Sequence, residues 1–206
     1  MQPIPFKIKV REIFYSLQGE GARAGEASIF IRLAKCNLNC WFCDTDWSYG
    51  TNMTPEEILK EISNYNCKWI IWTGGEPTLQ LTDELAQFFK AKGYKQAIET
   101  NGTNRVSKFI DYVTVSPKPQ SPPEVLNQNF PRGVDEIRYP ISRGDIIPKI
   151  EDLPPAQNYF VSPVFLGTKK QRFELEKRNV LYCIDYVKEN PGWRMSIQQH
   201  KIWGIR

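Results

Sequence analysis

The chain has only one histidine, His200, only five cysteines, and no apolar run approaching the ~20 residues that a membrane-spanning helix needs. Its N-terminus, MQPIPFKIKV, lacks the apolar stretch of a signal peptide. The expected compartment is therefore the cytoplasm, where thiols stay reduced and disulfides are not expected. A basic tail or concentrated basic stripe is also missing: the net charge is +4, and Lys and Arg are interleaved with Asp and Glu. That pattern argues against a nucleic-acid partner and is satisfied by a small anionic substrate. Neither an internal repeat nor a low-complexity tract is present. What remains, 206 residues that are 41% hydrophobic and 13% aromatic, is enough to bury one continuous core, so a single domain over 1–206 is expected.

Three of the five cysteines fall within eight residues, as Cys36, Cys40 and Cys43 in CNLNCWFCDTD. Structural zinc and ordinary iron–sulfur clusters take four protein ligands. No fourth Cys or His lies close enough in sequence to complete a compact local set. Three thiolates on a four-iron cluster leave one iron open, and an open iron can bind a reactant, as a catalytic metal does. The other two cysteines, Cys67 and Cys183, stand in apolar segments and are expected in the core.

Taken in order, Lys7 to Phe14 alternates like a strand and runs into the glycine-broken SLQGEG segment. Ser28 to Leu33 is a short buried strand with Arg32 as its one charge. Thr54-Pro55-Glu56-Glu57 spells a capped helix start with Ile58, Leu59 and Ile62 on one face. Lys68 to Thr73 is a second buried strand ending at Gly74-Gly75-Glu76-Pro77. A further capped helix starts at Thr82 and stops near Gly93, and strands follow at Gln96 to Glu99 and Tyr112 to Val115. Val106 to Ile110 is a short helical or irregular piece. Asp135 to Tyr139 and Tyr159 to Val161 read as strands with no amphipathic helix after the former. A charged helix over about Lys169 to Glu189 and a last strand, Trp193 to Ile197, complete the chain.

Alternating strand and helix imply a parallel α/β sheet, and the strand count fits an incomplete, condensed (βα) barrel. Six unusual segments each follow a strand: the cysteine loop, TGGEP, ETNGT, SPK, SPVF and QQHK. In such architectures the C-terminal strand ends share one rim, which carries the active site.

The cysteine loop, with Trp41-Phe42 inside it, resembles the radical S-adenosylmethionine (SAM) enzymes. That resemblance implies a 4Fe-4S cluster on Cys36, Cys40 and Cys43, whose open iron chelates SAM; reductive cleavage of SAM then gives a 5′-deoxyadenosyl radical. Gly74, Gly75 and Glu76 resemble the segment that accepts from the ammonium of SAM, the glycines allowing close main-chain approach. Phe42, Cys43, Asp44, Ser116, Pro117, Lys118, Ser162 and Pro163 are implied SAM contacts. SLQGEG, FIRL, CNLNCWFCDT and the terminal QxHK together narrow the resemblance to the 7-carboxy-7-deazaguanine synthase family. Its reaction contracts 6-carboxy-5,6,7,8-tetrahydropterin to 7-carboxy-7-deazaguanine with loss of ammonia, assisted by Mg²⁺.

The same resemblance implies that Leu17, Gln18 and Gly19 bind the pterin edge, that Arg32 pairs with the substrate carboxylate and that Thr45 gives an oxygen to Mg²⁺. Thr73 and His200 are implied to face the substrate. Arg206 aligns with a family position near it, although its residue type departs from the expected one. Glu20 is suited to the 2-amino group of a pterin, or else to a solvated turn; Arg32 has an internal ion pair as its alternative. An electron donor such as a flavodoxin is expected. So is a homodimer, since a shortened barrel asks a second subunit to cover its rim. Two other readings remain open: a glycyl-radical-enzyme activase, which shares the loop and cofactor, and a zinc-stabilised RNA-binding module using Cys36, Cys40, Cys43 and His200.

Overall fold

The computed structural model describes residues 7–165 and 177–206. Their contacts gather into two units that are interleaved in sequence. The first comprises Met1–Ser16, Ala27–Thr100 and Val106–Val113, and the second Leu17–Glu26, Asn101–Arg105 and Thr114–Arg206.

The first unit holds strands β1 (Ile8–Leu17, whose last residue passes into the second unit), β2 (Ala27–Leu33), β3 (Thr51–Met53), β4 (Trp69–Gly74) and β5 (Lys95–Thr100), in the order β3-β1-β2-β4-β5. Strands β2, β4 and β5 are parallel, with Arg32 beside Thr73 and Leu33 beside Gly74. The expectation of a purely parallel sheet is corrected at one edge, where β3 runs antiparallel to β1. Three residues flanked by Gly50 and a helix cap are too short to show a period-2 pattern, so this strand is invisible in the sequence.

Helices α1 (Pro55–Ile62) and α2 (Asp83–Ala91) begin where the cap residues place them. Thr54 accepts from the Glu57 amide while Glu57 reaches back to the Thr54 N–H, a complete capping box. Thr82 caps α2 through the Leu85 amide. Ile58, Ile62, Leu85 and Phe89 are wholly buried against Ile29, Ile31, Leu33, Ile70 and Trp72, each such side chain contributing roughly 1.5–3 kcal/mol of transfer free energy. Trp72 keeps its indole N–H paired, donating to Gln96 Oε1, whose own amide donates to the Ala86 carbonyl. Cys67 lies at the edge of this core, half-buried, and only Cys183 is fully buried as expected.

In the second unit β7 (Val134–Ile141), β8 (Ala156–Pro163) and the two-residue β9 (Arg194–Met195) run parallel, and the end of β6 (Tyr112–Val115) pairs with β7. Helix α3 (Pro123–Asn129) precedes β7 and was not expected. The Pro122-Pro123 pair reads as a loop signal, yet proline suits a first helical turn because its missing N–H would have no partner there. Among the described residues no α-helix lies between β7 and β8, as expected, only a 3₁₀ turn at Ile150–Asp152. Val106 to Ile110 is irregular.

Helix α4 (Lys177–Glu189) confirms the later part of the long charged helix; residues 169–176 of that expectation lie outside the described residues. Its base closes on Trp193, ringed edge-on by Tyr139, Tyr159 and Tyr186 at 5.9, 5.6 and 6.1 Å. Two expectations are corrected at the ends. Ser162 and Pro163 finish β8 instead of following it, and QQHK lies at the start of a short helix, α5 (Gln199–Trp203), rather than in a loop.

Candidate active site

In the first unit the cysteine loop leaves β2 at Leu33 and is closed at its base by the Lys35 amide donating to the Trp47 carbonyl at 3.0 Å. Lys35 adopts φ +72°, a turn that few side-chain-bearing residues take. Within the loop the Cys43 amide donates to the Cys40 carbonyl, and the Leu38 amide to Cys36 Sγ. Burial pushes the Cys36 thiol up; the Leu38 hydrogen bond opposes this, while Glu76, Cys40 and Cys43 add to it as negative neighbours.

No three Cys, His, Asp or Glu side chains are already gathered as a metal-gripping set among the described residues. The donor set still suits an iron–sulfur cluster, since three thiols share one loop and Cys36 lies in electrostatic range of both others. Trp41 is largely exposed and stands edge-on to Phe42 at 5.3 Å.

The GGE segment is locked to the base of that loop. Gly75 donates to the Leu33 carbonyl at 3.0 Å and Glu76 to the Lys35 carbonyl at 2.9 Å. A Cβ on Gly74, which sits at φ +122°, would strike the Leu33 backbone, and one on Gly75 would strike the Lys35 carbonyl. Two glycines are therefore a steric requirement here. Glu76 is fully buried, and its Oε1 accepts from the Thr78 amide, the Thr78 hydroxyl at 2.7 Å and the Thr100 hydroxyl at 2.7 Å.

Arg32 projects from β2 as the internal ion pair that was its alternative reading: Nε donates to Glu12 Oε1 at 2.8 Å. Its Nη1 donates to Thr45 Oγ1 at 3.3 Å, and Thr45 in turn donates to Asp44 Oδ1. Arg32 and Thr45 are thus brought together, with Thr73 opposite Arg32 in register.

In the second unit Leu17 is exposed at the end of β1, while Gln18 is buried and accepts the Gly19 and Glu20 amides on its Oε1. The Gln199 amide donates to the Gly19 carbonyl at 2.9 Å, and a Cβ on Gly19 would run into the His200 imidazole. SLQGEG and QxHK, 180 residues apart in sequence, are therefore packed on each other. Glu20 is not a solvated turn: it pairs with Arg138 Nε at 3.0 Å, its side chain 15% exposed.

Lys118 folds back so that Nζ donates to the Ser116 carbonyl at 2.6 Å and to Ser116 Oγ at 2.8 Å, fixing Ser116-Pro117-Lys118 as one turn. Ser121 supports it, accepting from the Lys118 amide and donating to the Asn101 carbonyl. Ser162 is buried in β8, with Pro163 opposite Ile141. Arg206 is exposed just beyond α5, where the Ile205 amide turns back to the His200 carbonyl.

Sequence reasoning missed Glu12, Glu136, Arg138 and Ser196. The signal for two of them was present: Glu136 and Arg138 are charges two residues apart, hence on one face, in a strand whose only other charge, Asp135, falls on the opposite face.

Residues 30–141 match the family model of the radical SAM superfamily. The chain is 39% identical over 201 residues to 7-carboxy-7-deazaguanine synthase of Bacteroides thetaiotaomicron, covering 96% of this chain and 98% of that protein. It is 36% identical to the enzyme of the same name from Haemophilus influenzae, over 94% and 92% of the two chains. The crystal structure of QueE from Escherichia coli superposes with a TM-score of 0.71 at 25% identity, covering 94% of this chain and 95% of that one.

The fold and the three-thiol loop are thus those of a radical SAM enzyme, an α/β incomplete barrel. Within that superfamily the chain belongs to the 7-carboxy-7-deazaguanine synthase family. Near-complete coverage of relatives bearing that one name leaves the activase and zinc-module readings without support.

Proposed function

We propose that this protein is a radical SAM lyase that contracts 6-carboxy-5,6,7,8-tetrahydropterin to 7-carboxy-7-deazaguanine with loss of ammonia, a step of 7-deazapurine (queuosine) biosynthesis. The observation that carries the proposal is the locking of the GGE segment onto the base of a three-cysteine loop, which supports reading the GGE main chain as the acceptor of SAM and the loop as the holder of the cluster. When bound, the 4Fe-4S cluster and SAM together supply the 5′-deoxyadenosyl radical that starts the rearrangement.

The chain's own residues bind and orient. Cys36, Cys40 and Cys43 would hold the cluster as thiolates. The carbonyls around Gly74 and Gly75 would accept from the ammonium of SAM together with Glu76, whose carboxylate is already fixed by Thr78 and Thr100. Phe42, Asp44, Ser116, Pro117, Lys118, Ser162 and Pro163 would contact the rest of that cofactor, the Lys118 fold-back presenting the 116–118 turn as a rigid unit. Leu17, Gln18, Gly19, Glu20, Thr73, His200 and Arg206 would bind the pterin.

Arg32 would pair with the substrate carboxylate through its outer nitrogens, since Glu12 holds the Nε edge and so sets the plane of the guanidinium. Thr45, tethered to Arg32, would offer its hydroxyl to Mg²⁺, an ion that takes few protein ligands and keeps several waters. The protein acts as one domain and as a homodimer, and draws electrons from a carrier such as a flavodoxin. It works in the cytoplasm; no helix among the described residues is long and apolar enough to cross a membrane.

Anaerobic reconstitution is expected to give a brown protein with about four irons per chain. Incubated with SAM, reductant and 6-carboxy-tetrahydropterin, it is expected to develop the deazapurine chromophore. Cys36→Ala is expected to lose both the iron and the product. A wild-type protein that holds no iron after careful reconstitution, or that cleaves SAM without forming the chromophore, would refute the assignment.

A further inference from the structure

Arg138 and Glu136 lie on one face of β7 and are almost wholly buried, at 5% and 1% exposure. Arg138 Nη1 donates to Glu136 Oε1 at 2.6 Å, while Nε holds Glu20 Oε2 at 3.0 Å. One guanidinium thus bridges two carboxylates through different edges, a geometry that lysine cannot reproduce. The other Glu136 oxygen, Oε2, accepts the Ala22 amide at 2.9 Å, and the Gly21 amide donates to Ser196 Oγ at 2.8 Å. Gly21 sits at φ +69°, and a Cβ there would overlap the Glu136 carboxylate. Every residue from Glu20 to Ala22 is therefore tied to β7 or to Ser196. A buried bridge of this kind is weak evidence for stability, because desolvating three charges costs about as much as their attraction returns. A requirement for geometry accounts better for its presence.

We propose that Arg138, braced by Glu136, is a positioning residue that holds the Glu20 carboxylate in one orientation, so that it accepts the amino edge of the pterin. This rests on the reading of Glu20 as a pterin contact. Arg138 occupies Oε2 from the inside, and the portion of the side chain still open to solvent is what a ligand can reach. The carboxylate's rotamer is then set before substrate arrives, and the entropy of ordering it is not charged to binding.

The test uses the reconstituted full chain and measures KM for 6-carboxy-tetrahydropterin, kcat, and SAM affinity in Arg138→Lys, Glu20→Gln and the double variant. Arg138→Lys is expected to raise KM about tenfold while kcat stays within about threefold, a split that marks lost substrate binding and that general loosening of the fold would not give. SAM affinity is expected to be unchanged. In the double variant KM is expected to equal that of Glu20→Gln alone, because Arg138 acts only through Glu20.

Independent, multiplying effects of the two substitutions would overturn the positioning role, as would an Arg138→Lys protein with wild-type KM. Wild-type KM in Glu20→Gln would instead remove the underlying reading of Glu20, and absence of product from the wild type would remove the reaction itself. Should Arg138→Lys not fold, Glu136→Gln, which keeps the shape of the brace but removes the charge that Arg138 Nη1 pairs with, carries the same comparison. A KM rise of about threefold that vanishes in the Glu20→Gln background supports the proposal, and any other result overturns it.

Discussion

At the scale of single residues, the two glycines of the GGE segment show how tightly the cofactor side is specified. A methyl group on Gly75 has no room, because the atoms it meets are the Lys35 carbonyl and the Cys36 amide, which are backbone and cannot swing away. Gly75→Ala must push Glu76 off the Lys35 carbonyl and separate the GGE main chain from the cysteine loop. The expected outcome is a folded protein whose SAM dissociation constant rises at least about tenfold in equilibrium binding. An unchanged affinity would mean that the GGE backbone is not the SAM contact. These glycines were legible in the sequence because the double glycine ends the strand that follows the cysteine loop; alone it would fit a strand-to-helix turn as well. Glu12 and Arg138 were not, because a charged residue in a strand does not state its partner. Arg32 displays the difficulty: its sequence context favours a substrate contact and leaves an internal ion pair as the alternative, and the structure supplies the ion pair with Glu12.

Elements differ in how far their ends are written into local sequence. The start of helix α1 was legible to the residue because Thr54 and Glu57 satisfy each other's backbone amides, whereas α3 was hidden by its prolines and β9 is held by its parallel neighbour β8 more than by its own pattern. Helix α4 is anchored by two buried side chains. Asn179 accepts the Arg143 amide and donates to the Val164 carbonyl, and Cys183 is fully buried. Burial pushes the Cys183 thiol up to about 12, against 9.0 for an unburied thiol. Because the folded state keeps this acid neutral, its contribution to stability is fully present below about pH 9 and is lost as the pH climbs towards 12. In urea denaturation, the stability gap between wild type and Cys183→Ala is expected to narrow by about 1 kcal/mol or more between about pH 8 and about pH 10.5, one proton being worth at most about 1.4 kcal/mol per pH unit. Parallel pH profiles for the two proteins would show that the thiol ionises as readily in α4 as in the unfolded chain.

For the whole molecule, fold class was readable because strands and capped helices alternate and because the unusual motifs stand at strand ends; the antiparallel edge strand and the division of contacts into two interleaved units were not, since both depend on pairings between residues distant in sequence. Subunit association is a property of this same scale. Large apolar side chains remain open in the second unit: Leu181 and Ile184 on α4 at 50% and 40% exposure, and Ile202, Trp203 and Ile205 at the C-terminal end at 52%, 43% and 39%. Leu181 and Ile184 are three residues apart and so share one face of α4. Isolated surface leucines are ordinary, but paired apolar residues on a helix that already buries Cys183 on its inner side describe a helix with two apolar faces, and the outer one is suited to a second copy of the chain. The expected mass by light scattering, on the order of micromolar protein, is about twice the 23.9 kDa of the chain. The double substitution Leu181→Glu and Ile184→Glu places two like charges on that face, where burial against the same face of another subunit would desolvate all four, and is expected to leave a single-chain mass with unfolding behaviour close to wild type. A wild-type protein that scatters as one chain would eliminate the homodimer, and a double variant that remains dimeric would move the interface away from α4.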